Sequence, residues 1–358
     1  MTWIGITDHA GGRFAPTGLG RGKLMHPGKL IERGTVMIET FIAGDVRPHD
    51  LLSIAPHFPQ RREIAFRAVP GGGFAFVHRQ ANGLSHAAVD WAADGRPHTL
   101  RLSYSWDTRL RWGRLTLEQP ERTLIRSSAV QNPQPMLTED IRSLILGKCD
   151  RRLSKEVIFA AATCGITPVG PLPSLHPCTP IATTKGYLPA SEIRRGDTLI
   201  THGGKTAPVL HAVRYRVPAR GSFAPVRLHA PYFGLQRDIA VAPEQRLVLR
   251  GSEVEYLFGQ EAVLVPARHL VNGYAASWRP QQSVADYVQF VLPRHEVIFA
   301  AGTALESLYI GRMRRKPELL AASVLAGVPD RELPEHGAPA HQVLRSVEAI
   351  TLIEQRAA

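Results

Sequence analysis

Ser174 and Cys178, near the middle of the chain, carry side chains that can act as nucleophiles. Ser174 lies near the end of a proline-rich segment, 168–177, and Cys178 directly follows it. This segment cannot form regular helix or sheet. Strand-prone residues follow from Ile181 to Thr184. A hydroxyl or thiol can act as a nucleophile towards a carbonyl carbon and form an ester or a thioester. A neighbouring acid or base, most often His, assists such an attack.

Motifs downstream of these residues identify the module by resemblance. The stretch from Ser174 to Gly204 has the sequence SLHPCTPIATTKGYLPASEIRRGDTLITHGG, and 237–249, 261–273 and 294–299 have the sequences RDIAVAPEQRLVL, EAVLVPARHLVNG and RHEVIF. In this order and over residues 174–312, they resemble the Hint domain, the self-processing module shared by hedgehog proteins and inteins. The likeness is strongest to the bacterial branch of the family. The resemblance implies that the hydroxyl or thiol of the first residue attacks the preceding peptide carbonyl and converts the amide to an ester or thioester. It also implies a nearby His that protonates the amide nitrogen.

The resemblance leaves the nucleophile open between two residues. An ungapped alignment places Ser174 at the family's Cys and Cys178 in a usual Gly position, and Pro177 and Thr179 then also match. A gapped alignment makes Cys178 the nucleophile but shortens the first strand. We favour the ungapped alignment. Each residue also fits an ordinary structural role, as a loop serine or a small buried cysteine.

The family's proton donor is replaced in this chain. Residues 242–245 have the sequence APEQ, and the family has Ser or Thr, then Pro, any residue and His at these positions. Gln245 therefore occupies the position of the histidine, and Ala242 that of the Ser or Thr. Gln does not titrate, so the resemblance implies a lost acid–base function. Intein splicing also needs an Asn at the end of the domain, and none of Asn82, Asn132 and Asn272 lies there.

Two histidines, His269 and His295, match histidines of the family. Each lies in a segment that is typical of a strand, so we expect hydrogen-bonded structural histidines rather than catalytic ones.

The fold class predicted is mainly β. Residues 1–128 contain short strand-prone runs, and 98–105 alternate apolar and polar residues. The sequence 94–117 resembles a strand pair of laminin-G and concanavalin-like jelly rolls. We therefore expect a jelly-roll-like β-sandwich at 1–128 that folds alone, a linker with a short helix at 129–173, a Hint-like all-β domain at 174–312 and a partly helical tail at 313–358. The helix of the linker should have Thr138 as its N-cap, continue through Leu146 and end at Gly147. Residues 154–162 could form a second helix or a strand.

Composition limits the partners. The formal charge is +12 and the pI about 10.0, but the basic residues are mostly Arg and scattered, which disfavours a nucleic-acid track. No phosphate-binding glycine loop or metal-ligand spacing is present, so neither a cofactor nor a metal is expected. We expect Trp91, Trp106 and Trp112 to pack in the core rather than form a platform for sugars.

The sequence has no classical signal peptide and no apolar window long enough to span a membrane. We therefore expect a cytoplasmic protein, or one exported by a signal-independent route.

Two functions follow from these patterns. The leading one is a Hint-domain protein with a degraded autoprocessing site, inactive or slowly self-cleaving and at most a single-turnover enzyme, with Ser174, Cys178 and Gln245 as its site residues. The alternative is a carbohydrate- or surface-binding protein that acts through residues 1–128, with a glycan or cell-surface ligand as its partner.

The cysteines give a first prediction. Three cysteines, Cys149, Cys164 and Cys178, without a signal peptide favour free thiols over a disulfide. We expect all three thiols to react with a thiol reagent in denaturant without reductant. A titre of one thiol would show a native disulfide.

Overall fold

The computed structural model describes residues 2–357 except 21–29, 45–46, 57–60, 71, 81–82, 123, 149 and 280–281. Asn82 and Cys149 therefore lie outside the described residues, whereas Cys164 and Cys178 are free thiols. Burial raises the pKa of the Cys164 thiol to about 11. The chain divides into two compact units, Met1–Val169 and Gly170–Ala358.

The first unit is a β-sandwich. Its strands are β1 (Trp3–Asp8), β2 (Gly11–Phe14), β3 (Leu30–Ile31), β4 (Arg33–Ile42), β5 (His49–Ile54), β6 (Arg62–Ala68), β7 (Phe74–Gln80), β8 (Gly83–Val89), β9 (His98–Asp107), β10 (Trp112–Gln119), β11 (Leu124–Gln131), β12 (Met136–Leu137), β13 (Arg152–Leu153) and β14 (Val157–Thr163). The larger sheet has seven strands in the order β11-β10-β9-β4-β14-β1-β2, and the smaller has five in the order β13-β5-β6-β7-β8. Strands β12 and β3 form a separate pair.

Apolar side chains from both sheets form one core. Phe76 on β7 stacks on Tyr104 on β9 with ring centroids 3.8 Å apart, so aromatic packing links the two layers. Trp91 and Trp106 lie in the same core, as expected. Trp112 is half-buried, and the Arg114 guanidinium lies 5.3 Å from the centre of its ring.

Helix α1 (Thr138–Leu146) belongs to this unit. It ends at Gly147, as the sequence indicated, and Gly147 adopts the left-handed conformation and donates its N–H to the Ser143 carbonyl. Its start differs from the prediction, because Thr138 is the first helical residue and Leu137, not Thr138, is the N-cap. Its apolar residues Ile141, Leu144 and Ile145 join the core of the sandwich.

Residues 129–173 differ from the linker that we predicted. β14 lies inside the seven-stranded sheet, where it pairs with both β1 and β4. The segment VIFAAAT is apolar on both faces because it is a central strand, and the sequence alone left it open between helix and strand.

The second unit contains β15 (Pro180–Thr183), β16 (Gly186–Pro189), β17 (Thr198–Ile200), β18 (Thr206–Pro208), β19 (His211–Pro218), β20 (Val226–Leu228), β21 (Ile239–Val241), β22 (Arg246–Arg250), α2 (Ser252–Phe258), β23 (Ala262–Pro266), β24 (Ala276–Trp278), β25 (Val284–Val291), β26 (Val297–Ala300), β27 (Thr303–Glu306), α3 (Pro317–Ala322), β28 (Gln342–Val343) and α4 (Ser346–Ala357). The largest sheet has the order β18-β17-β15-β26-β27-β22-β23-β28, with β16 paired to β15. Strands β19 and β25 pair, and β21-β20-β24 form a three-stranded sheet.

The C-terminal residues are built into the second unit. β28 pairs in parallel with β23, and α4 packs against α2. Leu344, Ala349 and Leu352 are buried in the same core as the strands. None of the helices formed by the described residues has the length and apolarity that a membrane span requires.

The position of β14 gives a second prediction. A chain shortened to residues 1–131 lacks the strand between β1 and β4, so we expect it to melt without a cooperative transition. Residues 1–169 should give a β-type circular dichroism spectrum and a cooperative melt. If residues 1–131 melt as sharply as residues 1–169, the sandwich closes without β14.

Candidate functional site

Ser174 is fixed by the backbone that follows it. Leu175 is fully buried and exchanges two hydrogen bonds with Val288 of β25, at 3.0 and 2.8 Å. On its other side, the carbonyl of Ser174 accepts the N–H of Ala242 at 2.7 Å, and the N–H of His176 bonds to Ala240 at 3.0 Å. The segment therefore lies between β21 and β25, although it follows several prolines that have no N–H to donate.

Gln245 reaches the same place from a turn between β21 and β22. Its N–H donates to Ala242 at 3.0 Å, and Pro243 follows Ala242, which is a favoured position for proline in a β-turn. The Gln245 side chain is 1% exposed. The Oγ of Ser174 donates to Gln245 Oε1 at 2.5 Å. The structure thus brings together two of the three predicted site residues.

Gln289 on β25 completes this cluster, and sequence reasoning missed it. Its Nε2 lies 2.8 Å from Gln245 Oε1 and 3.2 Å from Ser174 Oγ. Its Oε1 accepts the N–H of Phe290 at 3.1 Å. No motif marks this residue, and the only signal in the sequence is a Gln between apolar residues of a strand.

Glu306 at the end of β27 supports the two glutamines. Its backbone carbonyl accepts from Gln245 Nε2 and from Gln289 Nε2, both at 3.3 Å. Its carboxylate lies 3.1 Å from Arg246 Nη1 and 3.3 Å from His295 Nε2. The backbone of one residue therefore holds the amides, while its side chain lies in a charged cluster.

His295 is buried in a structural role. The N–H of Ala340 donates to its Nδ1 at 2.9 Å, and its Nε2 faces the Ser307 carbonyl at 3.2 Å. A backbone N–H only donates, so Nδ1 carries no proton and Nε2–H is the donor. His295 lies two residues before β26 and His269 lies in the short 3₁₀ turn 267–270, so neither histidine is on a strand, contrary to our expectation. Burial, with Arg268 nearby, lowers the pKa of His269 to about 4.

Cys178 lies apart from the amides. It is an exposed residue, its N–H donates to His176 Nδ1 at 3.3 Å, and its carbonyl accepts from Arg237 at 3.5 Å. Within the described part of the chain, Cys178 makes no hydrogen bond with Ser174 or Gln245. Nor do the residues that the structure describes contain a group of three or more His, Cys, Asp or Glu side chains placed to hold a metal ion.

The buried amides can do limited chemistry. Ser174 donates its hydroxyl proton to an amide oxygen and accepts an amide N–H, and neither amide titrates in the physiological range. The arrangement can orient the hydroxyl and bind an oxygen, but it provides no base that removes the proton.

The amide cluster gives a third prediction, on stability. Gln289→Leu keeps the approximate volume but removes the donor to Gln245 and the acceptor for Phe290, so we expect a loss of about 1–3 kcal/mol in the free energy of unfolding. Urea unfolding measures this change. The exposed Gln260→Leu is the matched control and should change stability by less than about 0.5 kcal/mol. Equal stabilities of the two variants would show that the buried contacts contribute nothing.

Comparison with known proteins identifies the second unit. Residues 173–312 match the family model of the Hint domain. The resemblance drawn from the motifs over 174–312 is therefore confirmed. No curated protein matches the chain at a significant level.

Solved structures give weaker likenesses. The CBM40 module of the Ruminococcus gnavus IT-sialidase, bound to α2,6-sialyllactose, has 17% identity and a TM-score of 0.24, and the match covers 46% of this chain and 90% of that one. Domains LG4-5 of the mouse laminin α1 chain have 7% identity and a TM-score of 0.25, and the match covers 86% of this chain and 75% of that one. Scores this low assign neither a ligand nor a function, and the glycan-binding alternative stays a prediction.

Proposed function

We propose that residues 174–312 form a Hint domain whose autoprocessing site is degraded, so that cleavage before Ser174 is slow or absent and splicing does not occur. The observation that carries this proposal is the hydrogen bond from Ser174 Oγ to Gln245 Oε1. Ser174 stands in the position of the nucleophile and Gln245 in that of the proton donor. Their contact supports the ungapped alignment over the one that uses Cys178.

The amide in place of an imidazole accounts for the low reactivity. In autoprocessing, the attacking hydroxyl loses a proton and the nitrogen of the 173–174 peptide bond gains one. Gln245 uses Nε2 for two backbone carbonyls and Oε1 for Ser174 and Gln289, so its polar atoms are already occupied. Loss of general acid–base help typically costs about 10²–10⁴-fold in rate.

The fourth prediction tests this chemistry by intact mass. The wild-type protein, incubated with a thiol or hydroxylamine, should keep its full-length mass. The double variant Ser174→Cys, Gln245→His restores a strong nucleophile and a titratable donor, so we expect thiol-dependent cleavage between Pro173 and residue 174.

Ser174→Ala with Gln245→His is the matched control, which has the imidazole but no nucleophile and should stay intact. Thiol-dependent cleavage of the wild type before Cys178 would support the gapped alignment and an active site. The double variant could also fold, keep the side chains at positions 174 and 245 in contact and yet remain intact. That result would contradict the roles given to these two positions.

A further inference from the structure

A second polar cluster lies on the three-stranded sheet β21-β20-β24. His229 follows β20, Asp238 precedes β21, and Ser277 is the middle residue of β24. His229 Nε2 lies 2.7 Å from Ser277 Oγ, and His229 Nδ1 lies 3.2 Å from Asp238 Oδ2. The three side chains form a continuous hydroxyl–imidazole–carboxylate chain.

The hydrogen bonds fix the position of each proton. The pKa of Asp238 is lowered, first by the N–H of Ala230, which donates to Oδ1 at 2.9 Å, and further by His229 and Arg227. The ionised carboxylate only accepts, so Nδ1 of His229 carries its proton. Nε2 then has a free lone pair that accepts the Ser277 hydroxyl. This is the tautomer in which imidazole can remove a proton from serine.

An arginine holds the carboxylate of this cluster. Arg227 is the register partner of Ser277 across β20 and β24, and its Nε lies 2.9 Å from Asp238 Oδ2. A charge-assisted hydrogen bond of this kind fixes the carboxylate that faces His229, so Arg227 is a positioning residue for the imidazole.

Solvent reaches this cluster, and two exposed aromatic residues lie close to it along the chain. The side chains of His229 and Asp238 are 26% and 33% exposed. Tyr232 follows His229 by three residues and Tyr274 precedes Ser277 by three. The two tyrosines are 44% and 55% exposed and pack edge-on with ring centroids 5.8 Å apart. Such a pair of exposed rings can hold the apolar part of a small ligand.

We propose that Ser277, His229 and Asp238 form a nucleophilic triad that hydrolyses small esters with an aromatic or other apolar group. Ser277 Oγ bonds to the ester carbonyl carbon, and its proton passes to His229 Nε2. The ester C–O bond breaks, and the leaving alcohol takes that proton. Water then attacks the acyl-serine with the help of His229, which releases the carboxylic acid and restores the serine hydroxyl. This activity is independent of autoprocessing at Ser174.

The test uses the full-length protein with p-nitrophenyl acetate as substrate and a fluorophosphonate as covalent probe. We expect measurable hydrolysis and a single labelled peptide that contains Ser277. Ser277→Ala and His229→Gln should each lower the hydrolysis rate by about 10²–10⁴-fold. Ser252→Ala, at an exposed serine at the start of α2, is the control and should keep the wild-type rate. Circular dichroism melts verify that the variants fold.

Several results would overturn the proposal. They are absence of both hydrolysis and label in the wild type, a label on Ser174 or another residue, and an unchanged rate in folded Ser277→Ala or His229→Gln. Peptide mapping of the wild-type label does not depend on the variants, so it decides the question even where a substitution unfolds the protein.

Discussion

The Ser174 site depends on a short stretch of backbone that two strands share. Residues 174–176 bond to β21 on one side and to β25 on the other, with Leu175 fully buried between them. Prolines at 171, 173 and 177 have no N–H, so the intervening residues carry the donors that can join this segment to the sheets. Without these bonds, Ser174 would not meet Gln245 or Gln289, because those residues are 71 and 115 positions away along the chain.

The amide cluster shows how buried polar side chains can be held in a fixed geometry without a titratable group. Gln245, which the ungapped alignment places at the family's histidine, pairs its oxygen and its nitrogen inside the protein. A buried polar group costs little stability when all its hydrogen bonds are made, so the packing of the domain does not require a histidine there. Geometry and proton transfer are therefore separable properties of this site.

The sequence indicated local features better than long-range ones. It predicted α1 and its Gly147 end because capping and periodicity act within a few residues. It left β14 open between a helix and a strand, because an apolar run does not reveal its partners. The alternation in 98–105 is typical of a strand with one solvent-exposed face, yet both faces of β9 are buried. The buried Arg101 of this strand pairs with Glu39 and Glu118. The site was partly predictable for the same reason: motif spacing found Ser174 and Gln245, whereas Gln289 and the Ser277 cluster depend on strand pairing.

The division of the chain between Val169 and Gly170 has a consequence for the fate of the polypeptide. The last strand of the first unit ends at Thr163, and the first strand of the second begins at Pro180. A break between residues 173 and 174 would therefore remove no strand from any sheet. Each half would keep its hydrophobic core, and the liberated sandwich would carry only a short proline-containing extension as its new carboxyl terminus.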